Sequence, residues 1–284
     1  METALGLYRG NTGSSQVRIR RAKISEDEKI KDLSFIKSNF SRFSQRRIAK
    51  MLGLGKTTIN RWSKEVGLVF KKHTVNETFF DTFNEKSAYV LGLIYSDGNI
   101  AWNTKKGYYS LTITTSEKDR THLENIRSLL SSTKPLLYAP KTKSYRLIVN
   151  NKNLCLRLMR LGVTPKKSLT INFPEIEENW LKHFIRGIID GDGNVRYVNR
   201  ERSPYFEITV ASGSTEFCKG LVAAIRDCIG VDANVRKVAS NTHVIQYSCS
   251  RGKKLAEYIY RDSTIFLMRK HLAYKQAMEA EKNG

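Results

Sequence analysis

A chain of 284 residues is long enough for two domains with sizeable cores, and its 49 lysines and arginines against 27 acids give a net charge of +22. That excess points to a polyanionic partner, and nucleic acid is favoured over an anionic membrane because no apolar run approaches the roughly 18–20 residues needed to span one. Cys155, Cys218, Cys228 and Cys249 show no Cys-x-x-Cys pairing and the five histidines share no ligand spacing, so the pattern indicates neither a zinc site nor a disulfide framework. The cysteines read as thiols of a reducing compartment, a cytoplasm or an organelle matrix, in a protein that is not secreted.

Residues 1–31 mix glycine, serine and basic side chains without hydrophobic periodicity, and a basic, disordered tail is expected there. The apolar core of a secretory signal is missing, and Glu2 with the cluster Glu26-Asp27-Glu28 argues against an organellar presequence. Residues 37–72 then carry ten basic side chains and one acid, Glu65, a balance of +9. Within them Ile48, Ala49 and Leu52 line one helical face, Gly53 makes a tight turn, and Ile59 and Trp62 line a second helix. Gly53 permits a left-handed backbone, the small Ala49 lets two helices cross closely, and Phe35, Ile36 and Phe40 supply a supporting helix. This spacing resembles the helix-turn-helix DNA-binding motif, in a small all-α domain over residues 32–70. The resemblance places the second helix in a major groove, with Lys56, Thr57, Asn60 and Arg61, joined by Arg46 and Arg47, at base edges or phosphates. The plainer alternative is a helical bundle whose basic face is only solvated. Residues 71–78 read as a linker.

Behind the linker the chain repeats itself. Val90-Leu-Gly-Leu-Ile-Tyr-Ser-Asp97-Gly98 and Ile185-Arg-Gly-Ile-Ile-Asp-Gly-Asp192-Gly193 are both apolar helix-like runs that close on an acid and a glycine. Asn84 is a fitting N-cap for the first. A carboxylate at a helix C-terminus costs roughly 0.3–1 kcal/mol, so a cation is expected to offset it, and a Mg²⁺-type ion suits carboxylate oxygens. After the first run come a strand over 108–115, a helix over 120–130, a strand over 145–149 and a helix over 152–161. The second run is followed by the same order: strand 205–210, helix 216–229, strand 244–249 and helix 253–260. Even the tails correspond, with Thr164-Pro-Lys-Lys-Ser opposite Leu267-Met-Arg-Lys-His. Two pseudo-symmetric halves, 79–175 and 176–284, are expected to meet at the two runs, where Gly92 and Gly187 allow close helix approach.

These paired runs, with their shared strand and helix order, resemble the LAGLIDADG homing endonuclease family in its single-chain, two-motif form, over roughly residues 77–276. The resemblance implies an α+β fold in which two curved antiparallel sheets form a saddle for double-stranded DNA, in a monomer with internal pseudo-twofold symmetry. It implies Asp97 and Asp192 as ligands of Mg²⁺ or Mn²⁺, helped by the carbonyls of Ser96 and Gly191, and Lys167 and Lys270 as catalytic cations near the scissile phosphates. Tyr95 stands where the second motif has Asp190, a position at which the family tolerates variation. A polar active-site residue at the end of each long strand falls near Glu117 and Ser212. The implied activity is site-specific hydrolysis of DNA phosphodiester bonds in intron homing. Two alternatives remain open: a non-cleaving DNA-binding transcription regulator of the same fold, and a maturase acting on its own intron RNA.

Overall fold

The computed structural model describes residues 24–40, 42–68, 73–103, 107–198 and 205–282. The expected disordered tail therefore lies, up to residue 23, outside the described residues. The chain divides into two compact units between Lys72 and His73.

The first unit packs α1 (Glu26–Asn39), α2 (Gln45–Met51) and α3 (Lys56–Glu65) around Ile36, Ile48, Ala49, Leu52, Ile59 and Trp62. Every apolar residue expected on the two helix faces is buried, and Gly53 turns the chain with φ +62°, in the left-handed region that glycine adopts freely. The start of the unit departs from the sequence reading, which ended a disordered tail at residue 31. Ser25 and Glu28 form a reciprocal capping box, so the acidic cluster is the first turn of a helix, where negative charge meets the positive end of the dipole.

The second unit is α+β. Its first half runs α4 (Glu85–Asp97), β1 (Gly98–Asn103), β2 (Tyr108–Ser116), α5 (Arg120–Leu129), β3 (Leu137–Ala139), β4 (Ser144–Val149) and α6 (Lys152–Arg160). The second half runs α7 (Glu178–Asp192), β5 (Gly193–Val198), β6 (Tyr205–Ser212), α8 (Thr215–Ile229), β7 (Val235–Ala239), β8 (Thr242–Ser248), α9 (Cys249–Tyr260) and α10 (Met268–Lys282). Each half holds one four-stranded antiparallel sheet, in the orders β1-β2-β4-β3 and β5-β6-β8-β7. The registers repeat as well: Gly98 pairs with Ile113 and Gly193 with Val210, at the point where each motif helix becomes a strand. Leu111, Ile113, Leu147 and Val149 of one sheet, and Phe206, Ile208, Val210, Ile245 and Tyr247 of the other, point into a continuous core. Thr112 and Thr114, or Thr209 and Gln246, alternate with them on the opposite face.

The later part of the expected linker belongs to this unit. The Thr74 amide donates to Thr133 Oγ1 at 2.8 Å, the Asn76 amide to the Leu130 carbonyl at 2.9 Å, and Val75 packs on the core. Asn84 caps α4 as expected, accepting from the Lys86 and Ser87 amides. No helix among the described residues is long and apolar enough to cross a membrane.

Candidate active site

The motif helices α4 and α7 lie directly against one another. A Cβ on Gly92 would overlap the Phe184 carbonyl, and one on Gly187 would overlap the Tyr89 carbonyl, so each glycine admits the backbone of the opposite helix. This packing carries the two C-termini, and with them Asp97 and Asp192, to one place. A Cβ built on Gly191 would fall 3.3 Å from Asp97 Oδ2, which puts the acid of the first motif beside the penultimate residue of the second.

Two clefts flank the helix ends, of about 180 and 200 Å³. Asp192 lines the first with Ser96, Lys167 and Ser212, and Asp97 lines the second with Gly191, Thr115, Asp119, Asp190, His122 and Arg269. Each cleft thus pairs the acid of one motif with the residue before the acid of the other. Both are smaller than the roughly 300–1,000 Å³ typical of a drug-sized ligand, and suit an ion, a few waters or one phosphate group.

Electrostatics single out the acids. Desolvation, reinforced by the charge of Asp192, pushes the Asp97 carboxyl up to about 7, against the pull of Lys270 and Lys167. Burial likewise raises the Asp192 carboxyl, with both lysines pulling back. Among the described residues no group of three or more His, Cys, Asp or Glu side chains is arranged to hold a metal. What the site offers is two mutually repelling carboxylates with main-chain carbonyls alongside, and a buried Thr115 hydroxyl with no hydrogen-bond partner. That donor set fits an Mg²⁺-type ion, which commonly keeps water and substrate phosphate in the rest of its shell.

The two lysines offset the helix dipoles that seemed to need a metal. Lys167 Nζ donates to the carbonyls of Tyr95 and, at 3.0 Å, Ser96 at the end of α4. Lys270, 1% exposed, reaches the carbonyls of Ile189 (2.6 Å), Asp190 (2.7 Å), Gly191 (3.4 Å) and Gly193 (2.5 Å) at the end of α7. Burial lowers the Lys270 ammonium to about 8, with Asp190 opposing the shift. The sequence reading expected both lysines at a phosphate. Lys167 does line the Asp192 cleft, whereas Lys270 is absent from the wall of the other, its N–H groups taken up by the four carbonyls. Lys270→Met is accordingly expected to destabilise the fold by about 3 kcal/mol or more, measured by urea denaturation, because it strands buried carbonyls.

Of the two softer assignments, Ser212 lines the Asp192 cleft, but Glu117 lines neither. It sits in a 3-10 turn beyond the end of β2 and accepts a hydrogen bond from Tyr138 Oη at 3.2 Å. Strand register makes Thr115, two residues past Ile113, the counterpart of Ser212, two past Val210. Asp190 is more than a tolerated variation: it is buried and accepts from Tyr89 Oη (2.8 Å), Tyr260 Oη (2.6 Å) and the Leu267 amide (2.7 Å), tying α4, α9 and the segment before α10 to α7. Asp119, His122 and Arg269, which no local sequence signal marks, are brought to the Asp97 cleft from two different halves.

In the first unit, Arg46, Arg47, Lys56, Thr57, Asn60 and Arg61 are all exposed, the last four on α3 and the first two on α2. The Arg47 guanidinium lies 4.7 Å from the Phe43 ring centre, and Arg61 approaches Glu65 at 3.8 Å.

No protein-family model matches the chain. Among solved structures it is similar to the LAGLIDADG meganuclease I-AabMI bound to uncleaved DNA, at 14% identity and a TM-score of 0.50, over 71% of this chain and 92% of that one. It is also similar to the I-LtrWI LAGLIDADG homing endonuclease bound to target DNA, at 14% identity and a TM-score of 0.47, over 70% and 91%. An uncharacterized protein of Methanocaldococcus jannaschii is 24% identical, over 75% of this chain and 80% of its own length. The duplicated α/β unit has the LAGLIDADG homing endonuclease fold.

Proposed function

We propose that this protein is a divalent-metal-dependent, site-specific DNA endonuclease, with Asp97 and Asp192 as metal ligands and the Ser96 and Gly191 carbonyls as their partners. The observation that carries the reading is the meeting of two partly desolvated, mutually repelling acids at the ends of two closely packed helices, each beside a small cleft. Perturbed acids of this kind cluster at working sites, and a divalent cation between them would relieve the repulsion that Lys167 and Lys270 offset only in part.

Hydrolysis of a phosphodiester forms a bond from a water oxygen to phosphorus and breaks one bond from phosphorus to a sugar oxygen. The water loses a proton and the departing oxygen gains one. Mg²⁺ or Mn²⁺, when bound, supplies a Lewis acid and a water of lowered pKa. The chain itself holds the acids in register through Gly92 and Gly187, fixes the helix ends through Lys167 and Lys270, and sets a cation in each cleft wall. Lys167 meets the charge that builds on phosphate oxygens in the Asp192 cleft.

The exposed basic residues of α2 and α3 add a helix-turn-helix surface that lengthens the recognised site. Replacing Arg46, Lys56 and Arg61 together by alanine is expected to weaken DNA binding. It should also flatten the plot of log affinity against log salt by about 0.9 for each phosphate no longer neutralised, read by fluorescence anisotropy. An unchanged salt slope would confine DNA binding to the α/β unit. The enzyme reading itself is tested by incubating a plasmid library of random inserts with Mg²⁺: recurrent cutting at one sequence supports it. Tight binding to one sequence without cutting would instead favour a transcription regulator, and binding only to structured RNA a maturase.

A further inference from the structure

The two clefts match in size and position but differ in their walls. The motif acids are 95 residues apart (192 minus 97), and the same offset relates Tyr89 to Phe184, Tyr95 to Asp190 and His122 to Phe217. On the Asp192 side the set is aromatic: Tyr95 meets Phe184 edge-on at 5.1 Å and stacks on Phe217 at 6.2 Å. On the Asp97 side it is a hydrogen-bonded chain, from His122 Nε2 to Tyr89 Oη at 3.0 Å and from Tyr89 Oη to Asp190 at 2.8 Å.

The cations differ too. Both lysines bond the carbonyls at the end of a motif helix, but Lys167 also stands in the wall of the Asp192 cleft, whereas its counterpart Lys270 lines neither cleft. The cation in the wall of the Asp97 cleft is Arg269, the preceding residue. Asp119, whose side chain is only 12% exposed, grips it from the other half: Arg269 Nε lies 3.1 Å from Oδ1 and Nη2 3.2 Å from Oδ2. That grip uses two of the five guanidinium N–H groups and leaves three for another acceptor, on a side chain that is 53% exposed. The neighbour of Lys167 that corresponds to Arg269 is Lys166, which does not line the Asp192 cleft.

We propose that Arg269, held by Asp119, is the phosphate-binding catalytic residue of the Asp97 cleft, doing there what Lys167 does in the Asp192 cleft. The two strands of a duplex are then cut by chemically different sites. A planar guanidinium fixed in advance presents parallel N–H groups to phosphate oxygens and needs little reorganisation as their charge grows. This inference rests on the nuclease reading.

The test follows each strand of the selected target separately, as an end-labelled duplex with Mg²⁺. Arg269→Ala is expected to slow one strand by about 10²-fold and leave the other at the wild-type rate, a split that loss of stability alone does not produce. Lys167→Ala is expected to slow the opposite strand, and Arg269→Lys, which keeps the charge and loses the two-point grip, to fall between Arg269→Ala and wild type. Equal slowing of both strands by Arg269→Ala, or no slowing, would overturn the assignment. Binding gives a second readout, in Ca²⁺, on duplexes in which one central phosphate at a time is a neutral methylphosphonate. Wild type is expected to lose affinity at one position where Arg269→Ala loses none; identical profiles would overturn the phosphate assignment. A wild type that binds but cuts neither strand removes the nuclease reading, and the methylphosphonate comparison still decides Arg269. Failure to bind any duplex overturns both.

Discussion

Asp97→Asn combined with Asp192→Asn is expected to abolish cutting, leave DNA affinity near that of wild type, and raise the melting temperature of the metal-free protein. The acids repel each other in a partly desolvated place, so their charge opposes folding, and asparagine keeps the shape without the charge. Affinity rests on a net charge of +22 spread over the chain, to which two neutralised acids add only two more positive units. The same electrostatics sets a pH dependence. The Asp97 carboxyl titrates near 7 in the folded protein and near 3.8 in the unfolded chain, so between those values the folded state binds more protons. Stability of the metal-free protein therefore falls as pH rises from about 4 to about 7, as far as this group contributes, and the loss is complete above 7. Thermal melts at pH 5.5 and pH 8 are expected to converge in the double variant. Saturating Mg²⁺ is expected to recover stability at pH 8 in wild type alone, since a ligand that binds only the native state stabilises it.

Gly187→Val is expected to be among the most damaging single substitutions in the α/β unit, with Gly92→Val close behind. The added carbons would meet main-chain carbonyls of the opposite helix, which cannot rotate away as a flexible side chain can. Overpacking of a well-packed core costs about 1–3 kcal/mol and occasionally more, and here the helices themselves must separate. Cutting is expected to vanish in any fraction that stays folded, because the axis that brings Asp97 to Gly191 would be lost. Chemical denaturation and near-ultraviolet circular dichroism check the first point. A Gly187→Val protein with wild-type stability would show that the close packing of α4 on α7 is not required.

Both motif helices could be read from residues: an apolar run with one inward glycine, an Asn84 cap and a terminal acid are local signals. So were the long strands β2 and β6, through alternation, and the helix pair around Gly53. What escaped was either short or long-range. β1 and β5 begin at the motif glycine itself and are half polar, so Gly-Asn-Ile-Ala-Trp-Asn carries no run to detect. The three-residue β3 is an edge strand that pairs with β4. α10 is polar on most of its surface and read as a tail, since the corresponding segment of the first half makes only a 3-10 turn at Lys167–Leu169. The site divides in the same way. The acids are announced by an unfavourable position in their own helix, but the burial of Lys270 and the grip of Asp119 on Arg269 join residues 80 to 150 positions apart. The exchange of His122 for Phe217 is hidden from a single offset, because the strands between are displaced by 97 (Ile113 to Val210) while α5 and α8 return to 95, which makes both residues the third of their helices.

Under the proposed function, the paired acids Asp97 and Asp192 make this fold a nuclease. The measurement that tests it most directly is strand scission of a random-insert plasmid library by wild type and by the Asp97→Asn/Asp192→Asn protein, each with Mg²⁺ and with a chelator. Breaks at one enriched sequence are expected for wild type with metal, and none in the other three reactions. Sequence-specific binding by wild type with no scission in Mg²⁺ or Mn²⁺, or scission that survives in the double variant, would contradict it.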